Sequence, residues 1–454
     1  MPNRYDFAYG LGLGVSAPFW LIKPSARRKV FSALRNRMGK PNGQPAAARR
    51  DPAKPAVLIH AVSLGEINAT PALVRALRAA SPGLHVTIST TTETGYARAA
   101  QLYGEQPGVA VIRYPLDFSR AVGRVLDAHN PDVVVLMELE VWPNFVRHCE
   151  RRGIPVALVN GRLTSSSFKR YRLVRPLIGA TFRRLAVCCV QDQTYADRFT
   201  ALGVPAERIR VTGTMKFDTA DVADRVPGDD ELATAVGLFP GAEPVLVAGS
   251  TGPGEEEIVL RAYRQLLARH SRLRLVIVPR HPDRFDAVAD LIEQHKFKCV
   301  RRSRTKGAAA PAASAIPPVI LGDTMGELRK FYALADVVFV GRSLVDLGSR
   351  QHGSDMIEPA ALGRPVMVGP YTGNFAEVMM KLRAADAVME VADEAGLVQT
   401  ASILLFSPEQ ATAMARRAQE VVRREQGATA RHAAIIMELL KAHERAKFDE
   451  LVAK

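Results

Sequence analysis

Apolar runs of strand length recur along the whole chain. In the first half they read VLIHAVS, HVTISTT, VAVIRYP, VVVLME, PVALVN, AVCCVQ and IRVTG. In the second half they read PVLVAGS, RLVIVPR, FKCVRRS, PVIL, VVFVGR, PVMVG and AVMEV. Most are β-branched and carry few charges. Between them lie segments of helical period such as TPALVRALRAA and EEEIVLRAYRQLLARH. Continuous apolar strands alternating with helices predict parallel sheets covered on both faces. The class is therefore α/β, as two Rossmann-like domains in series facing a central cleft.

The pattern also suggests boundaries. Residues 219–240 are polar, carry no strand and read as a linker. Residues 51–218 then form one domain and residues 241–425 the other. Residues 426–454 keep a helical period and suit a C-terminal helix that crosses back to the first domain. SRTKGAAAPAASAIPP, residues 303–318, reads as an exposed Ala/Pro-rich insertion.

Length agrees with that division: 454 residues suit about two domains. The cysteines Cys149, Cys188, Cys189 and Cys299 show no metal spacing and no CxxC pair, which fits core thiols in a reducing compartment. Charge changes the picture at the N-terminus. The formal net charge is +15, and residues 1–50 carry ten Lys/Arg against the single acid Asp6. Within that stretch, FAYGLGLGVSAPFWLI, residues 7–22, is uncharged. As a helix it would span about 24 Å, short of a bilayer core. It lacks the basic n-region and cleavage site of a signal peptide. GLGLG has no preceding strand and is not a dinucleotide fingerprint. Residues 1–50 therefore suit an interfacial anchor on an anionic membrane surface. A helix packed on its own domain is the alternative. No aromatic-basic interleaving supports a nucleic-acid partner.

Ligands of open α/β sheets bind beyond the carboxyl ends of the strands. Candidate chemistry should therefore follow strands. After VLIHAVS, Gly65 permits a turn and Glu66 lands at a helix start. That is a favoured place for an acid, and equally for a general base. After VVVLME come Glu138 and Glu140. GRLTSSSFKRYRLVRP is basic and hydroxyl-rich, suited to a solvated face or to phosphate. VTGTMKFD puts Lys216 after the last strand of the first half. In the second half, the Gly-rich STGPGEEE lacks a P-loop lysine but could hold an anion on its N–H groups. Arg280 and His281 follow a strand and suit a phosphate or carboxylate. Met325, Gly326 and Glu327 stand at another strand end. A long loop leads to Glu358, a carboxylate able to accept from two ribose hydroxyls. No His/Asp/Glu set has convincing metal spacing, so metal-independent chemistry is expected, and no other cofactor is expected either.

Taken in series, HAVSLGE, MELEVWPN, GTMKFD, VPRHPDRF, GDTMGEL and GRSLV…EPAALGRPV closely resemble the Kdo (3-deoxy-D-manno-octulosonate) transferases of lipopolysaccharide synthesis. That family has a two-domain GT-B glycosyltransferase fold. The resemblance runs from about residue 55 to residue 385. It implies transfer of Kdo from CMP-Kdo to a lipid A precursor, with inversion, on the cytoplasmic face of the inner membrane. It implies Glu66 as general base, with Glu138 and Lys216 stabilising the transition state. It implies CMP contacts at Pro279, Arg280, His281, Met325, Gly326, Glu327, Asp355 and Glu358. Two motifs depart from the family: STGPGEE replaces a usual STHxGEE, and GRSLVDLGSRQHGSDMIEP is longer than usual and puts Asp355 where Asn is usual. The rivals are a GT-B transferase using another nucleotide sugar and a catalytically silent nucleotide-sugar or lipid binder.

Overall fold

The computed structural model describes residues 3, 5–7, 9–12, 37–38, 51, 54–305, 316–348 and 351–453. The chain divides into two compact units, Met1–Thr219 with Gln426–Lys454, and Ala220–Glu425.

All the apolar runs become strands. In the first unit these are β1 (Ala56–His60), β2 (His85–Thr90), β3 (Val109–Arg113), β4 (Val133–Met137), β5 (Val156–Gly161), β6 (Val187–Val190) and β7 (Ile209–Val211). They form one sheet in the order β3-β2-β1-β4-β5-β6-β7. Every pairing is parallel. Alternate side chains enter opposite cores, which is why the strands read as unbroken apolar runs. Val57 and Ile59 pack on one face with Leu73, Leu77 and Tyr103. Leu58 packs on the other with Phe145, Phe182 and Phe199. The order reverses between β1 and β4, and this switch point is where a doubly wound sheet binds its ligands.

The C-terminal helix Ala428–Val452 belongs to this unit. Its Ala433, Ile436, Met437 and Leu440 join the core beneath the helix Leu64–Ala80. Lys447 Nζ donates to Asp132 Oδ1 at 2.6 Å, near the start of β4.

The second unit contains β8 (Val245–Thr251), β9 (Arg274–Pro279), β10 (Cys299–Arg301), β11 (Val319–Leu321), β12 (Val337–Val340), β13 (Val366–Val368) and β14 (Met389–Glu390). Their order is β10-β11-β9-β8-β12-β13-β14, again parallel throughout. The switch point lies between β8 and β12. The stretch read as a linker is not bare: it carries the helix Asp229–Val236, with Leu232, Ala233 and Val236 buried in the second unit. Its polar surface hid a short apolar face. Of the Ala/Pro-rich insertion, residues 306–315 lie outside the described residues.

Most of residues 1–50 also lie outside them. The described beginning packs on the first unit. Tyr5 is buried and its hydroxyl donates to Leu177 O at 3.1 Å. Asp6 accepts from Ser119 N at 2.8 Å and from Ser119 Oγ at 2.6 Å. Phe7 and Leu11 remain exposed. Among the described residues, no helix is long and apolar enough to cross a membrane.

Candidate active site

The first unit gathers its candidates at the carboxyl edge of the sheet. β1 leads through Ser63, an extended N-cap, into the helix Leu64–Ala80. Ser63 Oγ accepts from Glu66 N at 3.2 Å. The Glu66 carboxylate returns the contact, accepting from Ser63 N at 3.1 Å and Val62 N at 2.9 Å. This reciprocal capping box satisfies helix-end donors and fixes the Glu66 side chain. Each carboxylate oxygen has two lone pairs, so each keeps one for a substrate proton.

Glu138 follows β4 with φ 54°, a left-handed conformation that bulky residues seldom adopt. Its N–H still donates to Val159 O of β5 at 3.0 Å, so the sheet dictates the conformation. Glu140 lies beside it and accepts from Trp142 Nε1 at 2.9 Å. Beneath Glu140 is fully buried His60, stacked on Tyr114 at 3.8 Å and donating from Nδ1 to Ser89 O at 3.1 Å. Burial pulls His60 down to about 3, so the ring is neutral. Burial, and then the charge of Glu66, lifts the Glu138 carboxyl to about 7, against the pull of Arg162 and Lys216. Glu66, Glu138 and Lys216, expected as a set from the sequence, thus share one electrostatic neighbourhood. Arg162, just after β5, joins them.

A carboxyl raised to about 7 has a signed consequence. Its folded value exceeds its unfolded one, so ionising it opposes folding increasingly as pH rises from the ordinary carboxylate range towards 7, and not below that range. Activity that needs the Glu138 charge should therefore fall on the acid side of about pH 7. Arg162→Ala removes a cation that favours the charge and should move this acid limb of the kcat profile to higher pH. A profile flat across about pH 6 to 8, or a limb unmoved by Arg162→Ala, contradicts the assignment.

In the second unit the same sheet edge behaves differently. Ser250 at the end of β8 and Arg342 just after β12 also have positive φ, 55° and 57°. Such strain collects at functional sites. The Gly-rich loop after β8, however, is not open for an external anion as its sequence suggested. Glu255, fully buried, fills it. Its Oε2 accepts from Gly252 N at 2.8 Å and Arg342 N at 2.6 Å. Its Oε1 accepts from Ser343 N and Leu344 N, both at 2.8 Å. The carboxylate thereby ties the loop after β8 to the loop after β12.

Pro279 ends β9 beside Thr251, and Arg280 N donates to Thr251 O at 3.1 Å. Arg280 and His281 are exposed. Burial, and then the charge of Arg280, holds the Arg342 guanidinium below its ordinary value. Glu358, on the helix Ile357–Ala361, is lifted to about 7 by burial and then by Asp355, with Arg329 opposing. Asp355 Oδ1 accepts from Ile357 N at 2.8 Å. Buried Tyr332 senses Glu358, Asp355 and Arg280 together. A Cβ on Gly249 of β8 would lie 2.3 Å from the Tyr332 hydroxyl, so only glycine lets that ring reach the strand. The result is a cationic pair, Arg280 and Arg342, and an acidic pair, Asp355 and Glu358. These suit phosphate and vicinal hydroxyls respectively.

Met325 is exposed, and Gly326 has φ 85°. Glu327 accepts from Arg302 Nε and Nη2, both at 3.0 Å, and from the Thr324 hydroxyl. Burial raises its carboxyl, and those hydrogen bonds outweigh burial to leave it below the usual range. Arg302 went unremarked in the sequence because it lies in a charge run, RRSR. Asn160 was also missed, although an Asn before Gly at a strand end tolerates left-handed backbone; its φ is 53°. Among the described residues, no group of three or more His, Cys, Asp or Glu side chains could hold a metal ion.

A glycosyltransferase from Rickettsia africae shares this architecture with a TM-score of 0.55 at 13% identity, covering 86% of this chain and 99% of that one. Residues 32–219 match the family described as 3-deoxy-D-manno-octulosonic-acid transferase (kdotransferase). The 3-deoxy-D-manno-octulosonic acid transferase of Haemophilus influenzae is 35% identical over 390 residues, covering 85% of this chain and 87% of that protein. The transferase of that name from Bordetella pertussis is 34% identical over 399 residues, covering 86% of this chain and 88% of that protein. Fold and relatives together define a glycosyltransferase of GT-B architecture. Within that class, the chain belongs to the Kdo transferase family.

Proposed function

We propose that this chain transfers Kdo from CMP-Kdo to a lipid A precursor in lipopolysaccharide biosynthesis, in a single inverting displacement. The observation that carries the reading is the capped Glu66 with Glu138 at the β1/β4 switch point, with Lys216, after β7, close enough to act on the Glu138 charge. Glu66 takes the proton from an acceptor hydroxyl as that oxygen attacks the anomeric carbon, and the bond to CMP breaks. Lys216 offsets the negative charge of the departing CMP and of the Kdo carboxylate. Ionised Glu138 stabilises an oxocarbenium-like centre. Residues 51–218 are assigned to the acceptor and residues 241–425 to the donor. Arg280 binds phosphate, Glu358 with Asp355 binds ribose, and Pro279, His281 and Met325–Glu327 complete the nucleotide contacts. No metal or other cofactor takes part.

Nucleotide binding tests the donor. CMP should bind the full chain more tightly than UDP or GDP in calorimetry; tighter UDP binding overturns CMP-Kdo as donor. The reading also places the protein on the cytoplasmic face of the inner membrane through residues 1–50. Deleting residues 1–40 should abolish flotation with anionic liposomes, and undiminished flotation removes the anchor.

A further inference from the structure

The chain leaves the first unit after Thr219 and re-enters it at Gln426. On the first unit's side these crossings are tied together. Asp218 accepts from Gly427 N at 2.6 Å with one oxygen and from Thr429 N at 2.5 Å with the other. Gln426 Nε2 donates to Phe217 O at 3.1 Å, and Arg431 Nε to Thr212 O at 2.9 Å. Lys216 sits on the same short turn, Met215–Thr219.

One turn into the C-terminal helix, His432 is fully buried. Its Nδ1 faces Ala428 O at 2.6 Å and must donate. Its Nε2 must then accept, and it does so from Asn160 N at 3.0 Å, with Thr212 Oγ1 at 3.1 Å. Burial takes the ring down to about 4, so this tautomer persists near neutrality. Asn160 occupies the irregular end of β5, where the register with β6 shifts between Leu158 and Gly161. Its N–H, released from the ladder, finds the histidine. Its side-chain Oδ1 accepts from Met215 N at 3.1 Å and Gln191 Nε2 at 3.1 Å. Met215 immediately precedes Lys216.

We propose that Asn160 and His432 are positioning residues for Lys216, a latch by which the returning C-terminal helix fixes the catalytic lysine. This rests on the proposed role of Lys216. His432 holds the bulged backbone of Asn160, and Asn160 holds the backbone beside the lysine. Side chains 272 residues apart in sequence thus set one catalytic geometry.

Asn160→Gly tests this. Glycine accepts the left-handed backbone without strain, so the fold persists while the anchor on Met215 is lost. The expected result is a kcat lowered about tenfold or more, with an unchanged KM for CMP-Kdo and a cooperative unfolding transition whose melting temperature falls only as far as one buried N–H without an acceptor requires. Asn160→Asp keeps the acceptor oxygen and should retain most activity. In a Lys216→Ala background, Asn160→Gly should cause no further loss, because coupled residues are non-additive. Full activity in Asn160→Gly beside an impaired Lys216→Ala overturns the latch alone. Equal losses in both backgrounds overturn it too. A Lys216→Ala variant at the wild-type rate overturns the role of the lysine, and the latch with it.

Discussion

Glu66→Gln is expected to lower kcat for Kdo transfer by about 10²- to 10⁴-fold, the usual contribution of a general base, while CMP binding stays at the wild-type level. The paired variant Glu66→Ala separates the two tasks of this side chain. Glutamine keeps an acceptor oxygen for one of the N–H groups of Val62 and Ser63 and turns its amide N–H₂ towards the other, so the cap is weakened but not lost. Alanine removes both acceptors and should also cost about 0.3–1.5 kcal/mol of stability. Calorimetric unfolding and single-turnover kinetics on both variants check this. Wild-type kcat in Glu66→Gln would reduce Glu66 to a helix cap.

Glu255→Ala should produce the largest loss of stability. It leaves the N–H groups of Gly252, Arg342, Ser343 and Leu344 without their buried acceptor. Each buried group left unsatisfied costs about 1–3 kcal/mol, and a whole domain is stable by only about 5–15 kcal/mol. Glu255→Gln should also destabilise strongly, because its amide N–H₂ would point donors at two of those donors. Urea denaturation of the full chain should show the transition of the second unit at markedly lower denaturant for both variants. An unchanged midpoint for Glu255→Ala would mean that water replaces the carboxylate at no cost.

Glu255 also shows where sequence reading stops. In STGPGEEE the glycines look like a cradle for an external anion, and nothing marks Glu255 apart from its two neighbouring acids. Three of the four donors it accepts from arrive from residues 342–344, after β12, 87 to 89 residues later in the chain. Glu327 is a similar case: its place at a strand end was legible, and its partner Arg302 was not. The helix Asp229–Val236 was read as linker because five acids of 221–231 masked three buried apolar positions. By contrast, Glu66 and Glu138 were legible as a pair. Each stands close behind an apolar run, Glu138 at its end and Glu66 three residues on, and the structure places those two runs side by side as β1 and β4, where the sheet order reverses.

The sequence by itself determined the alternation of strands and helices, the class of the fold and the strand ends at which the candidate groups stand. Those features are written in local periodicity, since a strand buried on both faces must be apolar throughout. Only the tertiary structure decided which strand ends meet, that Glu255 occupies its own loop, and that His432 reaches Asn160. Such contacts join residues far apart along the chain, and no local pattern encodes a partner 272 residues away. They exist because buried donors and acceptors must be satisfied wherever the packed chain leaves them.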